Sequence, residues 1–313
     1  MNFSLPNNSF FDPCKVFLFA FFIIVFLNLA TVSASFSQVV NKNKMNCNCV
    51  IFRLDDVQDH YHDQSQLALM NFFLEKNQSL SLGVIANLFG NDSSILNEVR
   101  KGFDAGKFEL ASHGWNHEDF SKLSERTQTD LLNKSIEKIH EVFGTRPTIF
   151  IPPMFEFNNA TLDAMRNLGI KIISSNDTTY FDRNQSRLVA NIIYSNYTGN
   201  DKILHFPSTV QYSKYVINKS KTPPIEQWNT IPVEKILTMI NHSISTYGYA
   251  IVTTHPQEFV IMKNGIVTDT LNVTKLNDLH KLVNTIIDRN IRLITFNKLA
   301  NISSDLVNST ALS

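Results

Sequence analysis

A short, mainly apolar run early in the chain is followed directly by two adjacent carboxylates. The run Ile51-Phe-Arg-Leu54 is followed at once by Asp55 and Asp56. Neighbouring carboxylates repel each other, so a cation, a proton or water has to compensate them. A strand gains no stability from two acids at its end. The pair therefore predicts a site whose compensating groups come from elsewhere in the chain.

Two histidines further along are candidates for holding a compensating cation. His113 and His117 are four residues apart, so one helical turn would direct both imidazoles to the same side. Two histidines and a carboxylate form a common ligand set for a divalent metal that keeps open positions. The alternative is that both are hydrogen-bonding residues of a loop. A second pair, His60 and His62, lies in a polar segment with a spacing more typical of solvated side chains.

The segments that carry these residues alternate between short apolar runs and amphipathic helices. This rhythm predicts parallel pairing and an α/β fold. The number of strands suits a closed or nearly closed (β/α) barrel better than an open sheet. Residues 175–231 are less regular. Strands are predicted at 50–54, 80–86, 108–112, 148–151, 170–174, 203–206, 250–254 and 291–296, and helices at 64–76, 93–105, 124–143, 159–168, 233–247 and 275–289.

Chemistry in such barrels sits at the carboxyl ends of the strands. The candidate residues fall at four such ends, which are far apart in sequence but would converge on one face of a barrel. These ends are Asp55-Asp56, Ser112 to His117, Pro152-Pro153, and Thr254-His255.

The ordered combination of these motifs resembles the polysaccharide deacetylase family, the NodB-homology or carbohydrate esterase family 4 type. The residues that carry the resemblance are Arg53-Leu-Asp-Asp56, His113-Gly-Trp-Asn-His117, Ile151-Pro-Pro153 and Thr254-His255. It extends over about residues 48–300. The resemblance implies a single catalytic domain with a distorted (β/α)7-type barrel. It also implies a divalent metal of the zinc type, with Co²⁺ or Ni²⁺ as alternatives.

The resemblance also implies a role for each motif residue. Asp55 corresponds to the catalytic base and His255 to the general acid, while Asp56, His113 and His117 correspond to the metal ligands. The chemistry agrees, because a metal lowers the pKa of bound water and polarises an unreactive carbonyl. A neighbouring carboxylate can then take a proton, and an imidazole can give one to the leaving group.

The sequence departs from the family pattern at two places. Ile151 stands where the family usually carries an arginine that orients the catalytic aspartate. Arg53 lies two residues before Asp55, on the same side of the strand, and we expect it to supply part of the missing charge. The alternative is an arginine satisfied by carbonyls near the strand. The family's Asp-Trp motif also has no match, since Trp228 lacks a preceding aspartate.

Aromatic residues beside the motifs could stack on sugar rings, although packing explains them equally well. These residues are Trp115, Phe155 and Phe157. We predict that Arg53, Trp115, Pro153 and Phe155 contribute to binding an acetylated sugar or glycan.

The N-terminus predicts export. An apolar run at 16–27 follows Lys15, and Val32-Ser-Ala34 has the spacing of a signal peptidase site. We divide the chain into a signal peptide or uncleaved membrane anchor (1–34), a linker (35–47), the catalytic domain (48–300) and a tail (301–313). A secreted or cell-surface protein could be N-glycosylated, and Asn-x-Ser/Thr triplets start at Asn77, Asn91, Asn133, Asn159, Asn176, Asn184, Asn196, Asn218, Asn241, Asn272, Asn301 and Asn308.

Composition adds two expectations. The formal net charge is zero, which gives no electrostatic case for nucleic acid or an anionic membrane surface. The chain has three cysteines, of which Cys14 lies in the leader. Cys47 and Cys49 are too close for an unstrained mutual disulfide, so we expect two semi-buried thiols.

Three functions remain open from the sequence. The leading one is an exported, metal-dependent hydrolase that removes acetyl groups from an N- or O-acetylated glycan. An amidase-like hydrolase of a non-sugar carbon–nitrogen bond is the second, and the substitution at Ile151 favours it. The third is a catalytically silent glycan-binding barrel, which the complete set of acids and histidines disfavours.

Overall fold

The computed structural model describes residues 47–176, 192–194, 202–218, 220, 225–263 and 266–310. The predicted leader, nearly all of the predicted linker, and the triplets at Asn184 and Asn196 lie outside these residues. None of the helices in the described ranges is long and apolar enough to cross a membrane.

A ten-stranded sheet forms the centre of the domain. Its strands are β1 Cys49–Val57, β2 Leu80–Val84, β3 Phe108–Ser112, β4 Ile149–Phe150, β5 Ile172–Ile173, β6 Ile192–Tyr194, β7 Ile203–His205, β8 Val210–Gln211, β11 Tyr249–Thr254 and β14 Arg292–Leu293; β9, β10, β12 and β13 form two separate hairpins. Nine strands of the sheet follow the order β6-β7-β5-β4-β3-β2-β1-β11-β8, and β14 pairs with β1. All neighbours are parallel except the β6–β7 pair.

One short stretch of chain joins the two ends of this sheet. Residues 203–205 pair with β5, and the same register continues to a bridge between Asn176 and Ser208. Two residues later, Val210 and Gln211 pair with β11. The sheet therefore curls into the predicted barrel-like form, which has seven parallel positions. Six of them are β1, β2, β3, β4, β5 and β11, and the seventh is shared by β7, which pairs with β5, and β8, which pairs with β11.

Helices cover the outside of the sheet, and most begin at a recognisable cap. Asp92 and Ser124 accept backbone N–H groups at the starts of their helices, and Gly144 ends the second of these with φ 72°. The helices are α1 Asp63–Glu75, α2 Ser93–Asp104, α3 Glu125–Phe143, α4 Asn159–Asn167, α5 Val233–Tyr247, α6 Val273–Asp288 and α7 Phe296–Thr310.

The alternation along β1 determines which side chains enter the barrel. Val50, Phe52 and Leu54 pack in an apolar cluster with the covering helices. Cys49 and Ile51 pack in a second cluster formed mainly by other strands, including β4 and β11. Since successive side chains on a strand face opposite sides, Arg53 and Asp55 continue this inner row. The apolar interior thus ends in a charged layer.

Several features differ from the sequence expectations. Cys47 and Cys49 form a disulfide, so the predicted free thiols are wrong. The predicted tail is helical to Thr310, because α7 begins at Phe296 and packs the buried residues Phe296 and Leu299 under the barrel. Two antiparallel hairpins were not predicted. The first is β9 Ser213–Asn218 with β10 Ile225–Thr230, and the second is β12 Val260–Lys263 with β13 Ile266–Leu271.

Candidate active site

A bulge in β1 explains how two consecutive aspartates reach one site. Neighbouring residues on a regular strand face opposite sides of the sheet. The pairing of β1 with β2 shifts register between Leu54 and Val57, and Asp56 has a left-handed backbone with φ 61°. Bulges beside active sites commonly redirect a side chain in this way. A non-glycine residue with this backbone costs on the order of 1–3 kcal/mol, which the surrounding structure must offset.

The redirected Asp56 carboxylate meets both predicted histidines. Its Oδ1 atom lies 3.3 Å from Nε2 of His113 and 3.3 Å from Nε2 of His117. His117 also has a positive φ of 65°. The Nδ1 atom of His113 is 2.7 Å from the Ile151 carbonyl oxygen. A carbonyl only accepts, so Nδ1 donates to it, and Nε2 is the ring nitrogen that faces Asp56.

These three residues fit a divalent metal. Asp56 Oδ1 is buried without a hydrogen-bond partner among the described residues, whereas Oδ2 accepts from the Gln257 amide at 2.9 Å. The three ligand atoms lie within 4.8 Å of one another. Burial raises the pKa of Asp56, but contacts with His113 and His117 outweigh it and hold the pKa well below its ordinary value. An ionised carboxylate and two imidazoles are the donor set of an open divalent site.

The other aspartate is held by Arg53. Its guanidinium forms a two-pronged ion pair with Asp55, with distances of 2.8 Å from Nε to Oδ1 and 2.6 Å from Nη2 to Oδ2. Nη1 donates to the carbonyl and hydroxyl of Ser174 at 2.8 and 2.9 Å. The Phe155 ring packs against the guanidinium, with its centre 5.2 Å from Arg53 Cζ. Paired planar groups of this kind fix the orientation of the carboxylate.

The structure contradicts the prediction that Arg53 contributes to sugar binding, because Arg53 is fully buried. Its side chain is 0 % exposed and has no surface to offer a sugar. The geometry matches the expectation that Arg53 supplies charge in place of an arginine at Ile151, whose own side chain is buried in the barrel interior. We describe Arg53 as a positioning residue for Asp55.

His255 approaches the same carboxylate from β11. Its Nε2 atom lies 4.0 Å from Asp55 Oδ2. On the other side of the ring, Nδ1 is 2.8 Å from Oε1 of Glu258, a carboxylate that is only 1 % exposed. Trp228 packs against the imidazole with ring centres 4.7 Å apart. The sequence has no Asp-Trp pair. Glu258 and Trp228 nevertheless place a carboxylate and an indole against His255.

Sequence reasoning missed Glu258, although a signal existed. Glu258 follows His255 by three residues, and Pro256 begins a single 3₁₀ turn between them. Residues three apart lie above one another in such a turn, so His255 and Glu258 can meet. The spacing alone does not fix the backbone between them, and an acid near a histidine is common.

Glu258 also sets the charge of His255. Burial lowers the pKa of the imidazole, but the hydrogen bond and charge of Glu258 and the charges of Asp56 and Asp55 outweigh it, raising the pKa to about 8. The protonated form is therefore present at neutral pH and is lost as the pH rises through 8. This is the form needed to donate a proton.

Replacing Glu258 with glutamine tests this link. Glu258→Gln keeps a hydrogen-bond acceptor beside Nδ1 but removes the charge, while burial continues to lower the pKa. We expect the alkaline limb of the kcat/KM profile to move from about pH 8 to a lower pH, because only the charges of Asp56 and Asp55 still oppose the effect of burial, with metal content unchanged. The exposed Glu234→Gln should leave the profile in place. An unchanged limb in Glu258→Gln would show that Glu258 does not set this ionisation.

The remaining predicted residues are spread around the site. Trp115 and Phe155 are half-buried, Pro153 is buried, and Phe157 is 6 % exposed and packs edge-on against His205. Phe157 is therefore a packing residue, and sugar contacts of Trp115, Pro153 and Phe155 remain predictions. His60 and His62 do not join the site, since they approach Asp92 and Asp269 respectively.

Comparisons with known proteins agree with this geometry. Residues 42–173 match the polysaccharide deacetylase family model. A peptidoglycan deacetylase of Helicobacter pylori is 32 % identical over 84 residues, which is 26 % of this chain and 28 % of that protein. The matched part thus spans about a quarter of the relative's length.

Two solved structures share the fold. A candidate polysaccharide deacetylase from Mycobacterium smegmatis aligns with a TM-score of 0.59 at 16 % identity, covering 85 % of this chain and 92 % of that one. A family 4 acetyl xylan esterase from Clostridium thermocellum, solved with a cobalt ion, aligns with a TM-score of 0.50 at 12 % identity, covering 81 % and 91 %.

The barrel-like fold is similar to that of a family 4 carbohydrate esterase. The resemblance seen in the sequence is confirmed over residues 42–173, which match the polysaccharide deacetylase family model and include β1 to β5 and all three candidate metal ligands.

Proposed function

We propose that this protein is an exported, metal-dependent hydrolase that removes acetyl groups from an N- or O-acetylated glycan. One observation carries the proposal. The carboxylate of Asp55, held by Arg53, and the imidazole of His255 face each other at 4.0 Å, immediately beside the Asp56, His113 and His117 cluster. A base, an acid and a metal-type ligand set are the parts that hydrolysis of an unreactive acetyl group requires.

The chain's own residues divide the work. When bound by Asp56, His113 and His117, a divalent metal supplies an acidified water and polarises the acetyl carbonyl. Asp55, fixed by Arg53, takes a proton from the attacking water. His255, held charged by Glu258, gives a proton to the leaving nitrogen or oxygen. Zinc suits this donor set, and Co²⁺ and Ni²⁺ are alternatives.

Export to an oxidising compartment is supported by features outside the site. The disulfide between Cys47 and Cys49 is of a kind that persists in secreted proteins and is rare in the cytosol. Several candidate glycosylation sites present exposed asparagines, namely Asn77, Asn91, Asn133, Asn159, Asn241 and Asn301. Together with the predicted leader, they favour a secreted or cell-surface location.

The other two functions lose their specific support. The amidase-like alternative rested on Ile151, but Ile151 lines the buried interior and Arg53 pairs with Asp55 in place of the missing arginine. A silent binding barrel has no need for a buried aspartate–arginine pair facing a charged histidine. Both remain outcomes of the assay below.

Acetate release is the test. The purified, metal-loaded protein is incubated with chitooligosaccharides, peptidoglycan and acetylated xylan, and with non-sugar acetamides of matched size. We expect acetate from at least one glycan and little from the non-sugar amides. Release only from the non-sugar amides would replace the glycan proposal with the amidase. Metal binding without any acetate release would favour the silent barrel.

A further inference from the structure

The turn that follows His255 carries a second side chain that reaches the site. Pro256–Phe259 form this 3₁₀ turn, and its residue Glu258 holds the imidazole of His255. Gln257, the residue before Glu258, has its Nε2 atom 2.9 Å from Oδ2 of Asp56. Gln257 therefore connects the turn beside the proposed acid to one of the proposed metal ligands.

The contact with Asp56 determines which way the Gln257 amide points. A carboxylate oxygen only accepts hydrogen bonds, so the NH₂ end of the amide must face it. Among the described residues this is the only hydrogen bond of the Gln257 side chain, and its Oε1 atom is buried without a partner. Since no second bond orients the amide, its orientation depends on Asp56.

The backbone of the turn is fixed to the covering helices. The Pro256 carbonyl oxygen lies 2.9 Å from the hydroxyl of Ser65, a buried residue of α1. At the other end of the turn, the Phe259 carbonyl accepts from the backbone N–H of Asn272, the residue that caps α6. A donor on such a fixed backbone can hold a carboxylate in one orientation.

The two oxygens of Asp56 have different surroundings. Oδ2 accepts the hydrogen bond from Gln257. Oδ1 has no hydrogen-bond partner among the described residues and faces Nε2 of His113 and Nε2 of His117, each at 3.3 Å. Only Oδ1 therefore remains to be offered together with the two imidazoles.

We propose that Gln257 is a positioning residue that makes Asp56 a ligand through one oxygen only. The Gln257 amide occupies Oδ2 and keeps Oδ1 directed at the two histidines. A carboxylate that bound a metal through both oxygens would use an additional coordination position. Hydrolysis needs that position for water or for the acetyl carbonyl. Gln257 thus protects the open part of the metal site.

The affinity for zinc tests this role. Gln257→Met keeps a side chain of similar length and volume but has no donor, and Gln64→Met makes the same replacement at an exposed position on α1. We expect zinc to bind about 10–100-fold more weakly to Gln257→Met, measured by competition with a chromogenic chelator, and as in wild type to Gln64→Met. Gln257→Asn, whose amide is one methylene short of Asp56, should behave like Gln257→Met.

The visible spectrum of the cobalt-loaded protein reports the number of ligand atoms. Absorption bands of Co²⁺ weaken as its coordination number rises, so release of Oδ2 should reduce their intensity in Gln257→Met but not in Gln64→Met. Urea unfolding of the metal-free proteins shows whether the variants are folded. A cobalt spectrum identical to that of wild type would overturn the one-oxygen role. A lower urea midpoint with unchanged zinc affinity would make Gln257 a structural residue and also overturn it.

The role of Gln257 rests on the metal site of the proposed function, so metal binding and acetate release are measured separately. Weakened zinc binding and an altered cobalt spectrum in Gln257→Met, without acetate release by wild type, would support the positioning role and overturn the deacetylase proposal. Metal-dependent acetate release by wild type, with equal zinc affinity in wild type and Gln257→Met, would overturn the positioning role alone.

Discussion

Asp55→Asn should lower the rate of acetate release by about 10³-fold while the protein keeps its metal. The carboxylate is the only base that faces both His255 and the metal-type cluster among the described residues, and a positioned base contributes roughly 10²–10⁴-fold. Asparagine has nearly the same shape but cannot accept a proton at neutral pH. The measurements are kcat with the best glycan and metal content of the same sample.

The control for Asp55→Asn is Asp163→Asn, which removes a half-exposed carboxylate that pairs with Arg166 on the covering helix α4. It should keep full activity. If Asp55→Asn lost its metal together with its activity, the roles of Asp55 and Asp56 would be exchanged. If it kept most of its activity, Asp55 would not be the base.

Arg53→Ala should destabilise the domain by about 3–5 kcal/mol, because it leaves a buried carboxylate without its partner. Both members of the pair are inaccessible, with side chains 0 % and 2 % exposed. Activity should fall as well, since among the described residues only Arg53 bonds to both oxygens of Asp55. Urea unfolding gives the stability, and kcat/KM gives the activity.

Two further variants make the Arg53 result specific. Arg53→Ala with Asp55→Ala removes both charges and should be more stable than Arg53→Ala alone. Arg146→Ala breaks an exposed pair with Glu137 and should cost at most about 1 kcal/mol. Full activity and unchanged stability in Arg53→Ala would show that the pair neither positions Asp55 nor supports the fold.

The barrel could be predicted from the sequence because its helices and strands are locally consistent. The helix around Leu132, Ile136 and Ile139 has a clear 3.6-residue stripe, a serine cap and a terminal glycine, and the structure places it within one residue of the expected bounds. Strand ends could be located for the same reason. The positions of the acids and histidines at one end of the barrel then followed from parallel pairing.

The details that complete the site depend on contacts between distant segments. The bulge at Asp56 is a register shift in the pairing of β1 with β2, and the local sequence Leu-Asp-Asp-Val does not predict it. Trp228 meets His255 only because an unpredicted hairpin folds back over the 3₁₀ turn at 256–259. The disulfide was rejected on spacing, although the left-handed backbone of Asn48, with φ 47°, puts the Cα atoms of Cys47 and Cys49 5.2 Å apart, within the usual range.

The most direct test of the central claim measures metal and acetate in the same preparations. Wild type, His113→Ala and Asp56→Ala are stripped with a chelator, reloaded with Zn²⁺ and freed of excess ion. Wild type should hold close to one equivalent of zinc per chain, release no acetate when stripped and recover when reloaded, while both variants should hold far less zinc and stay inactive. Acetate release by the stripped wild type, or zinc well below one equivalent after loading, would contradict a metal-dependent deacetylase built on Asp56, His113 and His117.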